Sequence, residues 1–191
     1  MRLFVAVELS EETVRTAARI SAALRRDVGS RLHATWVAPE NMHLTVRFIG
    51  QVEDARARAV IDALVPPVAV PPFDVELGAC GMFPPSGSPR VIWIGLTLGM
   101  LSLTAMHAEF ERRLLALGFE RETRPFSAHL TLGRVKDAPR GAAGALRDAM
   151  QAMTPSAARS HITRATIFQS HLSSTGPHYE PMGHVPLIPR K

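Results

Sequence analysis

The sequence predicts an α+β protein built from two similar lobes related by a pseudo-twofold axis, and three observations lead there. The phrase "HLTV" at 43–46 returns almost unchanged as "HLTL" at 129–132. Landmarks recur at nearly one spacing: Arg2 to Arg90 is 88 residues, Gly29 to Gly118 is 89, and His43 to His129 is 86. Between those landmarks the apolar periodicity runs strand, helix, strand, helix, and then repeats that order. The repeat divides a single bilobal domain of 191 residues into motif-bearing halves of about 1–72 and 73–191, enough chain to bury a substantial core.

Each element has a local reason. "RLFVAVEL" (2–9) is a strand that stops at Ser10, an N-cap residue followed by Glu11 and Glu12, whose charges suit the positive end of a helix dipole. Val14, Ala17, Ala18, Ser21, Leu24 and Val28 then recur at helical spacing until Gly29 ends the helix. "HLTVRFIG" (43–50) alternates like a half-buried strand, and "EDARARAVIDALV" (53–65) returns to helical spacing. The run "PPVAVPP" (66–72) cannot be helical, because proline lacks the N–H a helix needs, so it bridges two units. From Arg90 the order restarts with a strand (90–98), a long helix (102–118), a strand (128–135) and a short helix (141–153). Two further strands are expected in the tail, at 161–172 and 178–187.

Composition excludes several classes. One cysteine, Cys80, cannot form an internal disulfide framework and fits a reducing compartment, so a cytoplasmic protein is expected. The opening apolar run, Leu3 to Val7, is too short for a signal or a membrane span, and the run at 91–101 is cut by Gly95 and Gly99; a soluble protein without a membrane partner is expected. A net charge of +5 and a pI near 10.6 would suit a polyanion. The excess is arginine in an Ala-rich background, and Arg25, Arg26 and Arg31, like Arg112 and Arg113, are read as solvated helix faces.

Chemistry concentrates in the repeated phrase. Side chains two apart on a strand leave the same face, so His43 and Thr45 point together, as do His129 and Thr131, while Leu44, Val46 and Phe48 point to the other side. His-x-Thr also occurs at 33–35 and 161–163, but only the pair at 43 and 129 occupies equivalent places in the repeat. Two lobes so related would set two imidazoles across one groove, able to act as acid and base at neutral pH, with hydroxyls ready for oxygens between them. In-line attack on a phosphodiester asks for that set and requires no metal.

In these flanks the sequence resembles the two-histidine phosphoesterase superfamily and, within it, the RNA 2',3'-cyclic phosphodiesterases, also called 2'-5' RNA ligase-like proteins. The likeness spans "RLFVAVEL", "WVAPENMHLTVRFIGQV" (36–52), "PRVIWIGL" (89–96), "RPFSAHLTLGRV" (124–135) and "IFQSHLSSTGPHYEPM" (167–182). It implies antiparallel sheets lining a central cleft, with helices outside. It also implies opening of a terminal RNA 2',3'-cyclic phosphate to a 2'-phosphomonoester without a cofactor, and some members also join or cleave 2'-5' linkages. By the same resemblance His43 is the proton donor, His129 the acceptor, Thr45 and Thr131 hold the phosphate, and Phe48 and Arg134 seat the nucleotide. The implied partner is RNA or a nucleotide ending in a 2',3'-cyclic phosphate, bound by a monomer. Relatives often carry proline before the second motif histidine, where this chain has Ala128, which leaves the geometry at the start of that strand open.

Competing classes find less support. A non-catalytic nucleotide-binding module would not need both histidines and both threonines. No His-Glu-x-x-His, Gly-x-Ser-x-Gly or phosphate-cradling Gly-Lys-Ser/Thr loop occurs, and His171, His178 and His184 are read as structural or surface residues.

Overall fold

The computed structural model describes residues 1–153, 157–173 and 176–189. Ser174 and Thr175, inside the tail segment quoted above, lie outside the described residues, as does Lys191. β1 (Arg2–Glu8) gives way at Ser10, whose hydroxyl accepts the Thr13 N–H at 3.3 Å, and α1 (Glu11–Val28) runs to Gly29. The remaining elements follow in order: β2 (His33–Trp36), β3 (His43–Gln51), α2 (Asp54–Leu64), β4 (Phe73–Phe83), β5 (Val91–Leu98), α3 (Met100–Ala116), β6 (Leu130–Asp137), α4 (Ala142–Gln151), β7 (Arg159–Ile162), β8 (Arg164–Ser173) and β9 (Gly176–Pro186).

The strands pair antiparallel in the order β7-β4-β5-β6-β3-β1-β8-β9, with β2 added on β6. Two strand groups meet at the junction of β3 and β6, which share a single residue pair, Leu44 opposite Leu130. Counting antiparallel from that pair sets residue 43 beside 131 and residue 45 beside 129. Each motif histidine therefore stands next to the other lobe's threonine.

Both strands are bulged at the same place. On β3, Arg47 pairs with Val5 and Thr45 with Ala6, so Val46 has no partner of its own; on β6, Gly133 pairs with Ile92 and Thr131 with Trp93, so Leu132 is the extra residue. An extra residue reverses the alternation beyond it. Phe48 thus leaves the core face predicted for it and joins His43 and Thr45 on the cleft face, 45% exposed, while Arg47 turns into the core. Arg134 is its counterpart in the other lobe, 86 residues on, and is exposed by the same reversal.

The helices pack across the repeat. α1 lies against α4, β6 and β7, while α3 lies against α2 and β3. β2, from the first half of the chain, extends the second group of strands, and β8 and β9, from the second half, extend the first. Leu3, Val5 and Val7 of β1 join the main core with Met106, Phe110 and Leu114 of α3; Phe4 and Ala6 face the other way with Phe168 and Tyr179. Each large apolar side chain so enclosed contributes about 1.5–3 kcal/mol.

Two expectations change. The tail stretch 161–172 is two strands, because Thr163 separates β7, on one edge beside β4, from β8, beside β1. β4 and β2 were not anticipated: β4 carries Gly78 and Gly81, and two register shifts hide its alternation, while β2 has only four residues.

Arg47 and Glu111 form a buried ion pair between β3 and α3, each side chain 9% exposed. The same groups hold the loop before β6, since the Glu122 N–H donates to Glu111 and Arg47 donates to the Glu120 carbonyl. Removing Glu111 leaves the buried Arg47 with only the long contact to Glu122, 3.9 Å away, so Glu111→Ala should lower unfolding stability by about 3 kcal/mol in urea titrations. Arg58→Ala, which removes an exposed pair with Asp62, should cost less than about 1 kcal/mol. Equal, small losses would show that the buried pair does not hold β3 to α3.

Candidate active site

Both histidines are presented by the same device. A proline stands four residues upstream of each, Pro39 at the start of a single 3-10 turn and Pro125 in a stretch that is neither turn nor helix, and the imidazole Nδ1–H bonds back to the carbonyl two residues before it. His43 donates to Asn41 O at 2.8 Å and His129 to Ser127 O at 2.7 Å. A carbonyl can only accept, so each neutral ring carries its proton on Nδ1 and keeps the lone pair of Nε2 for the cleft. Because the bond forms equally after Met42 and after Ala128, the missing proline leaves the presentation of His129 intact.

Packing fixes the rings differently. Phe4 stacks on His43 at 5.0 Å between centroids, and Tyr179 meets it edge-on at 5.2 Å. His129 receives Phe83 edge-on at 5.2 Å, with Trp93 at 6.1 Å. Trp93 in turn lies on Gly81, where a Cβ would come within 2.3 Å of the indole. Any larger residue there would push the indole aside.

Between the rings stand the two threonines, and no hydrogen bond to another described residue engages either hydroxyl. Two pockets open on either side. One, of about 490 Å³, is lined by His43, Thr45, Thr131, Arg134, Tyr179 and Trp36 among others. The other, of about 540 Å³, is lined by Thr45, Phe48, Phe83, His107, Phe126 and His129 among others. Thr45 belongs to both.

Electrostatics favour an anion. Arg134 is exposed in the first pocket and pairs with no described carboxylate, and its charge reaches both histidines. Burial lowers the His43 pKa to about 4, helped by Arg134 and opposed by the Asn41 carbonyl and Glu8. His129 is lowered for the same leading reason, burial, again with Arg134 contributing. No group of three or more His, Cys, Asp or Glu side chains that could hold a metal occurs among the described residues.

Two imidazoles of the same tautomer, two threonine hydroxyls engaged by no other described residue and an arginine without a described carboxylate partner thus gather at the junction of β3 and β6, an arrangement able to hold an oxyanion. The model of the LigT-like phosphoesterase family matches residues 7–93 and 100–179, which include every residue of the two motifs.

The chain belongs to the LigT-like phosphoesterase family.

Among the relatives of this LigT-like phosphoesterase is an RNA 2',3'-cyclic phosphodiesterase of Archaeoglobus fulgidus, 38% identical over 136 residues, covering 71% of this chain and 73% of that protein. One of the same name from Thermotoga maritima is 33% identical over 182 residues, covering 94% and 92%. In structure, the protein TT0787 of Thermus thermophilus superposes with a TM-score of 0.74 at 26% identity over all of both chains. E. coli LigT complexed with 3'-AMP matches in fold, with a TM-score of 0.72 at 24% identity over 97% of each.

Of the residues predicted from sequence, His43, Thr45, Thr131, His129, Phe48 and Arg134 all line these two pockets. The other His-x-Thr pairs do not: His33 is exposed on β2, and His161 bonds Asp74 on the edge strand β7 at 2.7 Å. Two pocket residues have no reading from the sequence, and a third, His178, read there as structural or surface, also lines the first pocket. Tyr179, the one tyrosine of the chain, comes from the tail beside it. His107 of α3 bonds the carbonyl of Val46 at 2.8 Å and stacks on Phe126 at 4.4 Å, an arrangement with no local sequence signature. Among the described residues no helix is long and apolar enough to cross a membrane.

The titration of His43 follows directly. Its folded pKa lies below the ordinary value of 6.5, so the unfolded chain binds the extra proton first and stability falls as pH drops from about 6.5 toward 4. Nitrogen-15 NMR should find both rings as Nδ1–H tautomers at neutral pH, with the His43 midpoint near 4 and that of His129 below 6.5. A His43 midpoint at or above 6.5 would contradict the enclosed ring described here.

Proposed function

We propose that this chain hydrolyses the terminal 2',3'-cyclic phosphodiester of RNA to a 2'-phosphomonoester, without a metal. One observation carries the reading: two imidazoles with Nε2 free, each beside the other lobe's unengaged threonine hydroxyl. The shared name of the curated relatives supports the same substrate.

In this mechanism water attacks phosphorus from the His129 side, and Nε2 of His129 takes its proton as the new P–O bond forms. On the opposite side the P–O3' bond breaks, and His43 gives the proton on Nε2 to the leaving O3'. Thr45 and Thr131 donate hydroxyl hydrogen bonds to the non-bridging oxygens, and Arg134 offsets the growing charge. Phe48 and Arg134 seat the base and ribose by stacking and a planar guanidinium contact.

The donor must be charged at the moment of use. With its pKa lowered to about 4, His43 is neutral in the free enzyme near pH 7, and the negative charge of a bound phosphodiester has to draw a proton to it. A neutral His43 favours a second reading in which His129 donates and His43 accepts. The product separates them: with the ribose seated as above, a 2'-phosphomonoester belongs to the first assignment and a 3'-phosphomonoester to the exchange.

An oligonucleotide ending in 2',3'-cyclic phosphate should be cleaved in EDTA. His43→Ala or His129→Ala should reduce kcat/KM by at least about 100-fold, whereas His33→Ala and His161→Ala change it little. Loss in EDTA that a divalent ion restores, or tolerance of either motif substitution, would refute the mechanism. Because the productive pair holds one proton, kcat/KM should be bell-shaped and fall as pH rises past 6.5. Arg134→Gln removes a charge that lowers both histidines, so it should raise KM and move the whole bell upward in pH; a bell that stays in place would deny Arg134 that role.

A further inference from the structure

A groove of about 650 Å³, used by no step above, runs between the C-terminal half of α1 and the segment from Trp36 to Met42. Three features distinguish it from an ordinary surface depression. Trp36, Val37 and Ala38 line both this groove and the pocket of His43 and Arg134, so the two cavities share a wall. Arg25 and Arg26 line it, and no carboxylate does. The Arg25 guanidinium forms no hydrogen bond or ion pair with another described residue, and that of Arg26, 75% exposed, has only its neighbour Asp27 at 3.2 Å.

Arginines in the last turn of a helix also offset its dipole. That accounts for charge on α1, but not for a groove without carboxylates that opens beside the reacting group. Trp36 packs one side of its ring near Gly133, where a Cβ would lie 3.3 Å from it, and presents the rest to the two cavities. An aromatic ring followed by two exposed guanidinium groups, that of Arg25 unpaired among the described residues and that of Arg26 held only by its chain neighbour, is what a single strand of nucleic acid requires: a surface for a base, then cations for successive phosphates.

We propose that this groove holds the RNA strand on the 5' side of the reacting nucleotide, so that the preferred substrate is the end of an oligoribonucleotide and not a free cyclic nucleotide. The inference rests on the reading of the active site given above and extends it. The terminal ribose occupies the Arg134 pocket, its 5' oxygen leads past Trp36, and the next phosphates meet Arg25 and Arg26. The arginines taken from the sequence as a solvated face become contacts to the RNA backbone, without reading sequence.

The test compares adenosine 2',3'-cyclic phosphate with a tetra-adenylate ending in 2',3'-cyclic phosphate, using wild type and the double variant Arg25→Gln, Arg26→Gln. Wild type should show a KM for the tetramer at least about tenfold below that for the mononucleotide. The double variant should raise the tetramer KM about tenfold and leave kcat and the mononucleotide kinetics unchanged. It should also flatten the log–log dependence of tetramer kcat/KM on salt by about 0.7 for each phosphate that the arginines no longer neutralise. Equal KM values for the two substrates in wild type, or a tetramer KM and salt slope that ignore the substitutions, would overturn the proposal. Should wild type cleave neither substrate, the reaction assigned above fails, and the groove is then judged by fluorescence anisotropy of a labelled tetra-adenylate 3'-phosphate. Weaker binding by the double variant supports the groove, and equal binding refutes it.

Discussion

The structure depends on how little β3 and β6 share. Paired along their lengths, the two strands would close the sheet over the cleft; paired at Leu44 and Leu130 alone, they touch at their beginnings and part. Antiparallel pairing at one point brings the starts of both motifs together and sends everything after them in opposite directions. The site therefore sits at the seam, with pockets opening on both sides of Thr45. The bulges at Val46 and Leu132 act on the same geometry, turning Phe48 and Arg134 out of the core and into the cleft. Buried anchoring by Arg47 and Glu111 holds β3 and the loop before β6 behind that seam.

Symmetry of backbone coexists with asymmetry of surroundings. The two histidines share a tautomer, a carbonyl partner two residues upstream and a threonine across the seam. They differ in company: Phe4 and Tyr179 enclose His43, whereas Phe83 and Trp93 stand around His129. Phe48 and Arg134 are equivalent by position and opposite in chemistry, one aromatic and one cationic. A duplicated frame with unlike linings can bind a substrate whose two sides differ, one an attacking water and the other a ribose oxygen.

Much of this was legible in the sequence, for physical reasons. Strands and helices at the repeated landmarks were readable because apolar periodicity and caps such as Ser10 and Gly29 are local signals. His43, Thr45, His129 and Thr131 were readable because the repeat selected them from four similar motifs. Phe48 was placed on the wrong face, since strict alternation cannot register a bulge whose cause is pairing with another strand. His107 and Tyr179 reach the site from α3 and β9, and only the fold brings them there. Pro39 and Pro125, each four residues before a motif histidine, were a signal present in the sequence and not used.

The central claim is that the two imidazoles work on opposite sides of one phosphorus atom. A crystal structure with uridine vanadate, whose vanadium takes the five-coordinate geometry of the transition state, tests it most directly. The account predicts Nε2 of His43 and Nε2 of His129 within hydrogen-bond reach, about 3 Å, of opposite apical oxygens, with the Thr45 and Thr131 hydroxyls on equatorial ones. Both imidazoles on the same apical oxygen, or either ring out of reach while the other binds, would contradict it.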